Sequence, residues 1–454
     1  MEREESSKQE TKTPAGYTEP QGKPCNLRLR WSWVEPEIWT DNMLTALENG
    51  VKGGKWFSLI DKVYSVKTLE KAWIKVRANK GAAGVDKVSI TRFEEHKDKY
   101  LAEIQEDLMK GQYRPQAVRR VYIPKGNGKT RPLGIPTVKD RVIQTAAKMV
   151  LEPILEKEFK PSSYGFRPQI GAKDALREVD SLIKQGYIWY VDADLQSYFD
   201  TIQHKKLMEK LGRHVSDSRF LDLIELWLKQ DIMEECKCWK PTEGSPQGAV
   251  ISPLLANLYL HDLDVAMAEA GVKIVRYADD FVVLVKSKEI AEKVLHWLKQ
   301  WAQTEELTIH PEKSHLGNCM NAGEGFDFLG YRFEGGERWI RKKSIQKFRD
   351  KIRELTKRHN GMSIEETIKR VNGSLKGWCN YFKHVTKWGL QTFDSFVRRR
   401  LRAILLAQNK RSGFGLSLQA HLRWSNAYFA KLGLYEMEAA RQREANRSKT
   451  YGRA

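Results

Sequence analysis

The chain has 454 residues, with 78 Lys and Arg against 58 Asp and Glu, a net charge of +20. That length exceeds one ordinary compact domain, 41% hydrophobic residues exclude a disordered chain, and the surplus charge points to a polyanionic partner. The polar start, the lack of an uncharged run suited to a membrane span, and five cysteines without a disulfide framework lead us to expect a cytoplasmic protein with no membrane partner.

Residues 1 to about 25 are rich in Glu, Ser, Lys, Thr, Pro and Gly and read as unstructured. Apolar residues at helical spacing follow from Trp39 to Arg77, and again from Phe93 to Lys110. Val118 to Pro136 reads as a β-hairpin with a Gly126-Asn127-Gly128 tip. Helices are predicted at Asp140–Phe159 and Gly171–Lys184, then a strand, Tyr187–Val191, running into Asp192-Ala193-Asp194. Pro253 to Ala270 reads as helical. Lys273 to Lys286 reads as two strands joined by Tyr277-Ala278-Asp279-Asp280. Three basic helices close the pattern, Ser344–Arg358, Ser363–His384 and Leu390–Gln408, before an aromatic stretch, Trp424–Tyr435. From Arg338 to Ala454 there are 28 basic against 8 acidic residues, so this segment holds the whole surplus and residues 1–337 are neutral.

Two acidic clusters, Asp192/Asp194 and Asp279/Asp280, stand at the ends of apolar β runs. Two such strands side by side bring carboxylates within a few ångströms, which is unfavourable unless a cation sits between them. Hard divalent ions with oxygen ligands suit the position, Mg2+ above all when a substrate brings phosphate. Two ions can hold the attacking and leaving oxygens of an in-line phosphoryl transfer. Either cluster alone could be a plain turn. Both in this order, downstream of a Gly-rich basic hairpin, point to that chemistry.

At Tyr277-Ala278-Asp279-Asp280 the sequence resembles the reverse transcriptases, and from about Asn79 to Phe333 it resembles those encoded by bacterial group II introns. The matching blocks are Lys80–Asp86, Arg119–Lys125, Arg131–Thr137, Ser163-Tyr164-Gly165-Phe166-Arg167-Pro168 and Asp192–His204. They continue with Gly244-Ser245-Pro246-Gln247-Gly248, Ser252–Asn257 and Phe328-Leu329-Gly330-Tyr331. Gly377-Trp378-Cys379-Asn380-Tyr381-Phe382 resembles the family's thumb, called domain X.

The resemblance implies an α+β, right-hand polymerase, fingers and palm with a Tyr-Ala-Asp-Asp hairpin, followed by an all-α thumb/maturase domain X. Residues 1–38 would be a disordered extension, 39–337 the fingers and palm, 338–435 the thumb, and 436–454 a basic polar tail. Asp194, Asp279 and Asp280 would be catalytic, with Leu195 beside them among the metal-holding positions and two Mg2+ ions (Mn2+ the alternative) as cofactors. Asp192 and Asp200 compete with Asp194. Asp194 is preferred because it lies five residues before Phe199, the expected steric gate against a ribose 2′-OH; the alternative for Phe199 is a plain core aromatic. Lys125, Arg131 and Gln247 would hold the incoming dNTP. Arg120, Arg167, Lys347, Arg349, Arg353, Arg398, Arg399, Arg400 and Arg402 would hold RNA or template–primer, with structural contacts the alternative for Arg120 and Arg167 and a solvated helix face for any one thumb residue. The expected activity is RNA-directed DNA synthesis from a DNA primer, joined to binding of the parent intron RNA that assists splicing and mobility at a DNA target in the bacterial cytoplasm. The alternatives are an RNA-binding splicing cofactor with little polymerase activity and a reverse transcriptase of a defence system.

Overall fold

A computed structural model describes residues 27–126, 129–234, 237–245, 248–311, 314–359, 361–383, 385 and 390–451. The first layer is helical. Helices Asp41–Asn49 and Val66–Asn79 bury Leu44, Leu47, Leu69, Trp73 and Val76 in one core with the 21-residue helix Val138–Glu158, against which the second of them packs. That helix has 14 buried residues, Asp140, Gln144 and Thr145 among them, so it lies inside the fold along most of its surface. It contains Pro153, which cannot donate to the carbonyl four residues back. The orphaned carbonyl belongs to Met149, and the indole N–H of Trp39 supplies its bond at 3.2 Å.

Residues 27–38, expected to be disordered, are folded. Trp31, Val34 and Ile38 are buried in this first core, and Trp31 donates to Glu48 at 2.8 Å. The polar composition of residues 1–25 does not extend into this segment: Trp31, Trp33, Val34, Ile38 and Trp39 give it apolar surface to bury. Residues 1–26 lie outside the described residues.

The strands, in chain order, are β1 (Val118–Gly126), β2 (Lys129–Ile135), β3 (Trp189–Asp194), β4 (Ile232–Glu234) and β5 (Lys237–Trp239). Then come β6 (Lys273–Tyr277), β7 (Asp280–Val285), β8 (His315–Asn318), β9 (Phe326–Phe328), β10 (Tyr331–Glu334) and β11 (Glu337–Ile340). They form three sheets, ordered β2-β1-β4-β5, β6-β7-β3-β8 and β11-β10-β9. The expected hairpin is β1 and β2, and the expected helix from Pro253 to Ala270 breaks at Leu260 into Ser252–Tyr259 and His261–Glu269.

The sheet β6-β7-β3-β8 separates two cores. Val191, Ala193, Phe281 and Val283 face the first core. Tyr190, Val275, Val282 and Leu284 face a second, shared with Phe326, Phe328, Tyr331 and Phe333 and with the C-terminal helices. Those helices are Lys342–Leu355, Ile364–Phe382 and Gln391–Gln408, close to the basic helices read from the sequence. The C-terminal segment is therefore welded to the sheet through one core. The last stretch is not a plain tail: helix Met437–Tyr451 begins with a fully buried Met437 whose N–H donates to Asp394 at 3.0 Å.

Candidate active site

Pairing between β3 and β7 is antiparallel, and its register sets Asp194 opposite Asp280 and Asp192 opposite Val282. Directly opposed residues share a face, and so do residues two apart on one strand. Asp192, Asp194 and Asp280 therefore lie on one face of the sheet, the face that further along carries Tyr190, Val282 and Leu284 into the second core. Asp279 sits in the adjoining turn.

The electrostatics follow from this crowding. Burial, then the Asp280 and Asp194 carboxylates, hold the Asp192 carboxyl up to about 7, against 3.8 for an ordinary Asp. Asp280 keeps an open face to solvent, but the protein packed around it, then Asp279 and Asp194, raise it to about 7 as well. Arg341 opposes both shifts, and the Leu329 main-chain N–H opposes the second. Leu329 is in the Phe-Leu-Gly-Tyr block, at φ +48°, with Gly330 at φ +83°. Asp200, the other candidate, is on the short helix Tyr198–Thr201 rather than on the sheet. The Leu195 side chain is buried in the first core, which leaves only its main-chain carbonyl as an oxygen donor.

The donor set fits a hard divalent ion: it is all oxygen, and burial together with negative neighbours disfavours the charged form of two of the carboxyls, which a cation there would offset. Among the described residues no three His, Cys, Asp or Glu side chains converge closely enough to hold an ion by themselves. A divalent ion here would need substrate phosphate and water to complete its oxygen shell.

A buried group that sequence reasoning missed fixes the turn. Arg276, the residue before Tyr277, has a fully buried side chain paired with an equally buried Asp264. Its Nε donates to Asp264 at 2.8 Å, while its Nη1 donates to Asn257 and to the Ala278 carbonyl, each at 3.0 Å. Asn257 donates in turn to the Gly165 carbonyl at 2.7 Å. Ala278 is held at φ +60°, unusual for a residue with a Cβ. Gly165 crosses the turn so closely that a Cβ there would lie 2.3 Å from the Ala278 nitrogen. The available signal was an arginine inside an apolar strand, which requires a buried partner.

The loop after Gly244 is pinned beside Phe199: the Ser245 N–H donates to the Phe199 carbonyl at 2.7 Å, and Gly244 packs on the Asp200 main chain. Phe199 is half-buried, its ring against Tyr198 with centroids 5.5 Å apart. Gly248, at φ +114°, leaves no room for a Cβ against the Gly134 carbonyl, so this loop meets the end of β2. Gln247 lies outside the described residues, as does the side chain of Lys125, which falls at the bulge in β1. Arg131 is exposed on β2.

The basic residues divide by environment. The Arg120 guanidinium lies 5.7 Å from the Tyr122 ring and 5.5 Å from that of Trp239, on one sheet face with both aromatics partly exposed. Arg167 is turned inward: it pairs with Glu156 and donates to the Lys160 and Ser163 carbonyls. Arg400 donates to Thr356, and Arg402 is buried and donates to the Trp424 carbonyl and to Asn426. Arg398 is buried beside Glu436 at 3.4 Å. Lys347, Arg349 and Arg353 are exposed and Arg399 is half-exposed.

Residues 123–333 match the family described as "Reverse transcriptase (RNA-dependent DNA polymerase)", and residues 345–424 match "Group II intron, maturase-specific domain". The chain is 35% identical over 308 residues to Protein YkfC of Escherichia coli (strain K12), covering 59% of this chain and 78% of the relative. It is 39% identical over 205 residues to the Group II intron-encoded protein LtrA of Lactococcus lactis subsp. cremoris, covering 44% of this chain and 34% of LtrA. It is 34% identical over 166 residues to the Putative COX1/OXI3 intron 1 protein of Saccharomyces cerevisiae, covering 36% of this chain and 20% of that protein. Among the described residues no helix is long and apolar enough to cross a membrane.

Proposed function

The chain belongs to the group II intron-encoded reverse transcriptase/maturase family, an RNA-directed DNA polymerase joined to a maturase domain, and from that premise we propose how its residues divide the work. The observation that carries the proposal is the register pairing of Asp194 with Asp280, with Asp192 on the same face and Asp279 in the turn. A DNA primer annealed to RNA would lie across this face, and its 3′-OH would attack the α-phosphate of a dNTP, releasing pyrophosphate. Asp194, Asp279 and Asp280, with the Leu195 carbonyl, would hold two Mg2+ ions, with Mn2+ the alternative. Bound there, the ions would offset the clustered carboxylates and the charge developing on the phosphate.

The chain's own side chains do the positioning. Arg131 offers a planar fork and Lys125 a point charge to the triphosphate from the β1–β2 hairpin. In this reading Phe199 would stand against a ribose 2′-OH, and Gln247 would contact sugar and base. Arg276 and Asp264 hold the turn that carries Asp279, so the carboxylate is fixed before substrate arrives.

The exposed basic side chains of the C-terminal helices would hold template–primer and the parent intron RNA, reading backbone and shape. Holding the folded intron is the maturase role, and copying RNA at a DNA target is the mobility role. The inward-turned Arg167, Arg398, Arg400 and Arg402 act in this reading by shaping the surface rather than by gripping phosphate directly.

The test is extension of oligo(dT) on poly(rA), with and without divalent ion. Synthesis that requires the ion, and that Asp279→Asn abolishes while RNA binding persists, is the expected result. Full residual synthesis by Asp279→Asn would sink the assignment.

A further inference from the structure

The surface made by helices Lys342–Leu355, Gln391–Gln408, Leu418–Arg423 and Asn426–Lys431 has a hollow of about 480 Å3. That is within the ~300–1,000 Å3 range of small-ligand pockets. Five of its eleven lining residues are Arg349, Arg353, Arg398, Arg399 and Arg402, and none of the eleven is acidic. Two of the guanidiniums are already engaged with nearby carboxylates, Arg353 with Asp350 at 2.6 Å and Arg398 with Glu436 at 3.4 Å, and Arg402 is bonded inward. Among the described residues Arg349 and Arg399 make no ion pair with a carboxylate, and the Arg399 guanidinium lies over the Phe396 ring.

The hollow is not only cationic. Phe396 forms part of its wall, with the Arg353 and Arg399 guanidiniums 5.9 and 5.5 Å from its ring centroid. Leu416 closes one side and is 65% exposed, and Phe414 in the same loop is 74% exposed. This loop is built onto the helix: Gly415 is at φ +76°, and a Cβ there would lie 2.5 Å from the Arg399 carbonyl. Only glycine meets both demands, so Leu416 is held over the hollow rather than left to collapse elsewhere.

We propose that this hollow binds an unpaired nucleotide of RNA, its base against Phe396 and Leu416 and its phosphates on Arg349 and Arg399. The inference rests on the nucleic-acid reading of the C-terminal helices and adds a site away from the carboxylate face. Apolar and aromatic walls beside guanidiniums that carry no carboxylate partner match a base joined to a phosphate, since RNA offers side chains its unstacked bases and not the deep groove of its duplex. An acidic peptide would use the arginines but leave Leu416 and Phe414 uncovered.

The experiment compares binding of the full chain to two RNA hairpins that differ by one bulged purine. Wild-type protein should prefer the bulged hairpin by roughly 5- to 150-fold, the worth of stacking one base. Leu416→Ser should remove most of that preference and leave the dependence of log K on log salt unchanged. Arg349→Gln with Arg399→Gln should weaken binding of both hairpins and reduce the salt slope by roughly 1.4–1.8, two phosphate contacts. Protein that extends a primer on RNA yet binds both hairpins alike overturns the niche and leaves the polymerase reading standing. Protein that neither extends nor binds RNA overturns both. Displacement of the bulged hairpin by poly-glutamate at equal charge would overturn the niche in favour of a protein partner.

Discussion

Replacing Asp264 with leucine tests whether the Tyr-Ala-Asp-Asp turn depends on a buried charge. In the native fold the Arg276 and Asp264 side chains are both 0% exposed, and two Arg276 nitrogens donate to the Asp264 carboxylate. Leucine removes every acceptor there and leaves a guanidinium, which cannot give up its proton, buried without its counter-ion. Breaking such a pair from one side costs about 3–5 kcal/mol. Adding Arg276→Met removes the stranded charge as well, and paired apolar replacements of this kind are often neutral or better in stability. Urea unfolding should therefore show a large loss for Asp264→Leu and recovery of most of it in the double variant. Primer extension should not recover, because the Ala278 carbonyl has lost the donor that Arg276 supplies at 3.0 Å. A displacement of about 1 Å at reacting groups costs roughly 100-fold in rate. Recovery of both stability and synthesis in the double variant would refute a positioning role for Arg276. A loss below about 1 kcal/mol in the single variant would refute the buried pair.

Three further outcomes follow from the same geometry. Asp192 and Asp280 keep their protons to about 7 in the folded chain, whereas an unperturbed Asp has 3.8, so the folded state binds more protons between those values. In chelator, their contribution should make stability fall as pH rises from about 4 to about 7; Asp192→Asn should flatten that fall and a divalent ion should offset it. A wild-type-minus-variant difference that is flat with pH would contradict this. Gly165→Ala should reduce primer extension at least about 10-fold at unchanged RNA affinity, because the Ala278 main chain must give way to the new Cβ; wild-type rates would refute the close crossing. Arg167→Gln should lower stability by about 1–3 kcal/mol without moving the salt slope of RNA binding, while Lys347→Gln should lower the slope by roughly 0.7–0.9 and leave stability alone. The reverse pattern would mean that Arg167 reaches phosphate and Lys347 does not.

Much of this protein was determined by sequence alone where a property is local. The β1–β2 hairpin and the three basic helices follow from apolar period and turn residues, and the surplus charge is a count. The carboxylates are legible as clusters, because Asp192, Asp194, Asp279 and Asp280 interrupt apolar runs. Which of them share a face is not legible: that is decided by the pairing of β3 with β7, and a slip of one residue would turn Asp194 away from Asp280. The partner of Arg276 is likewise a tertiary fact, since Asp264 lies on a helix and Arg276 on a strand and their meeting depends on how the two pack. Helical period gives an arginine a face but not a neighbour. Thus Arg398, Arg400 and Arg402 read like Arg349 and Arg399 in the sequence, while the fold gives the first three hydrogen-bond partners within the protein, even though Arg398 and Arg402 line the same hollow as Arg349 and Arg399. The net charge was fixed by composition; which guanidiniums bond within the protein, as those of Arg398, Arg400 and Arg402 do, was fixed by packing, because each donor finds an acceptor only where another element brings one.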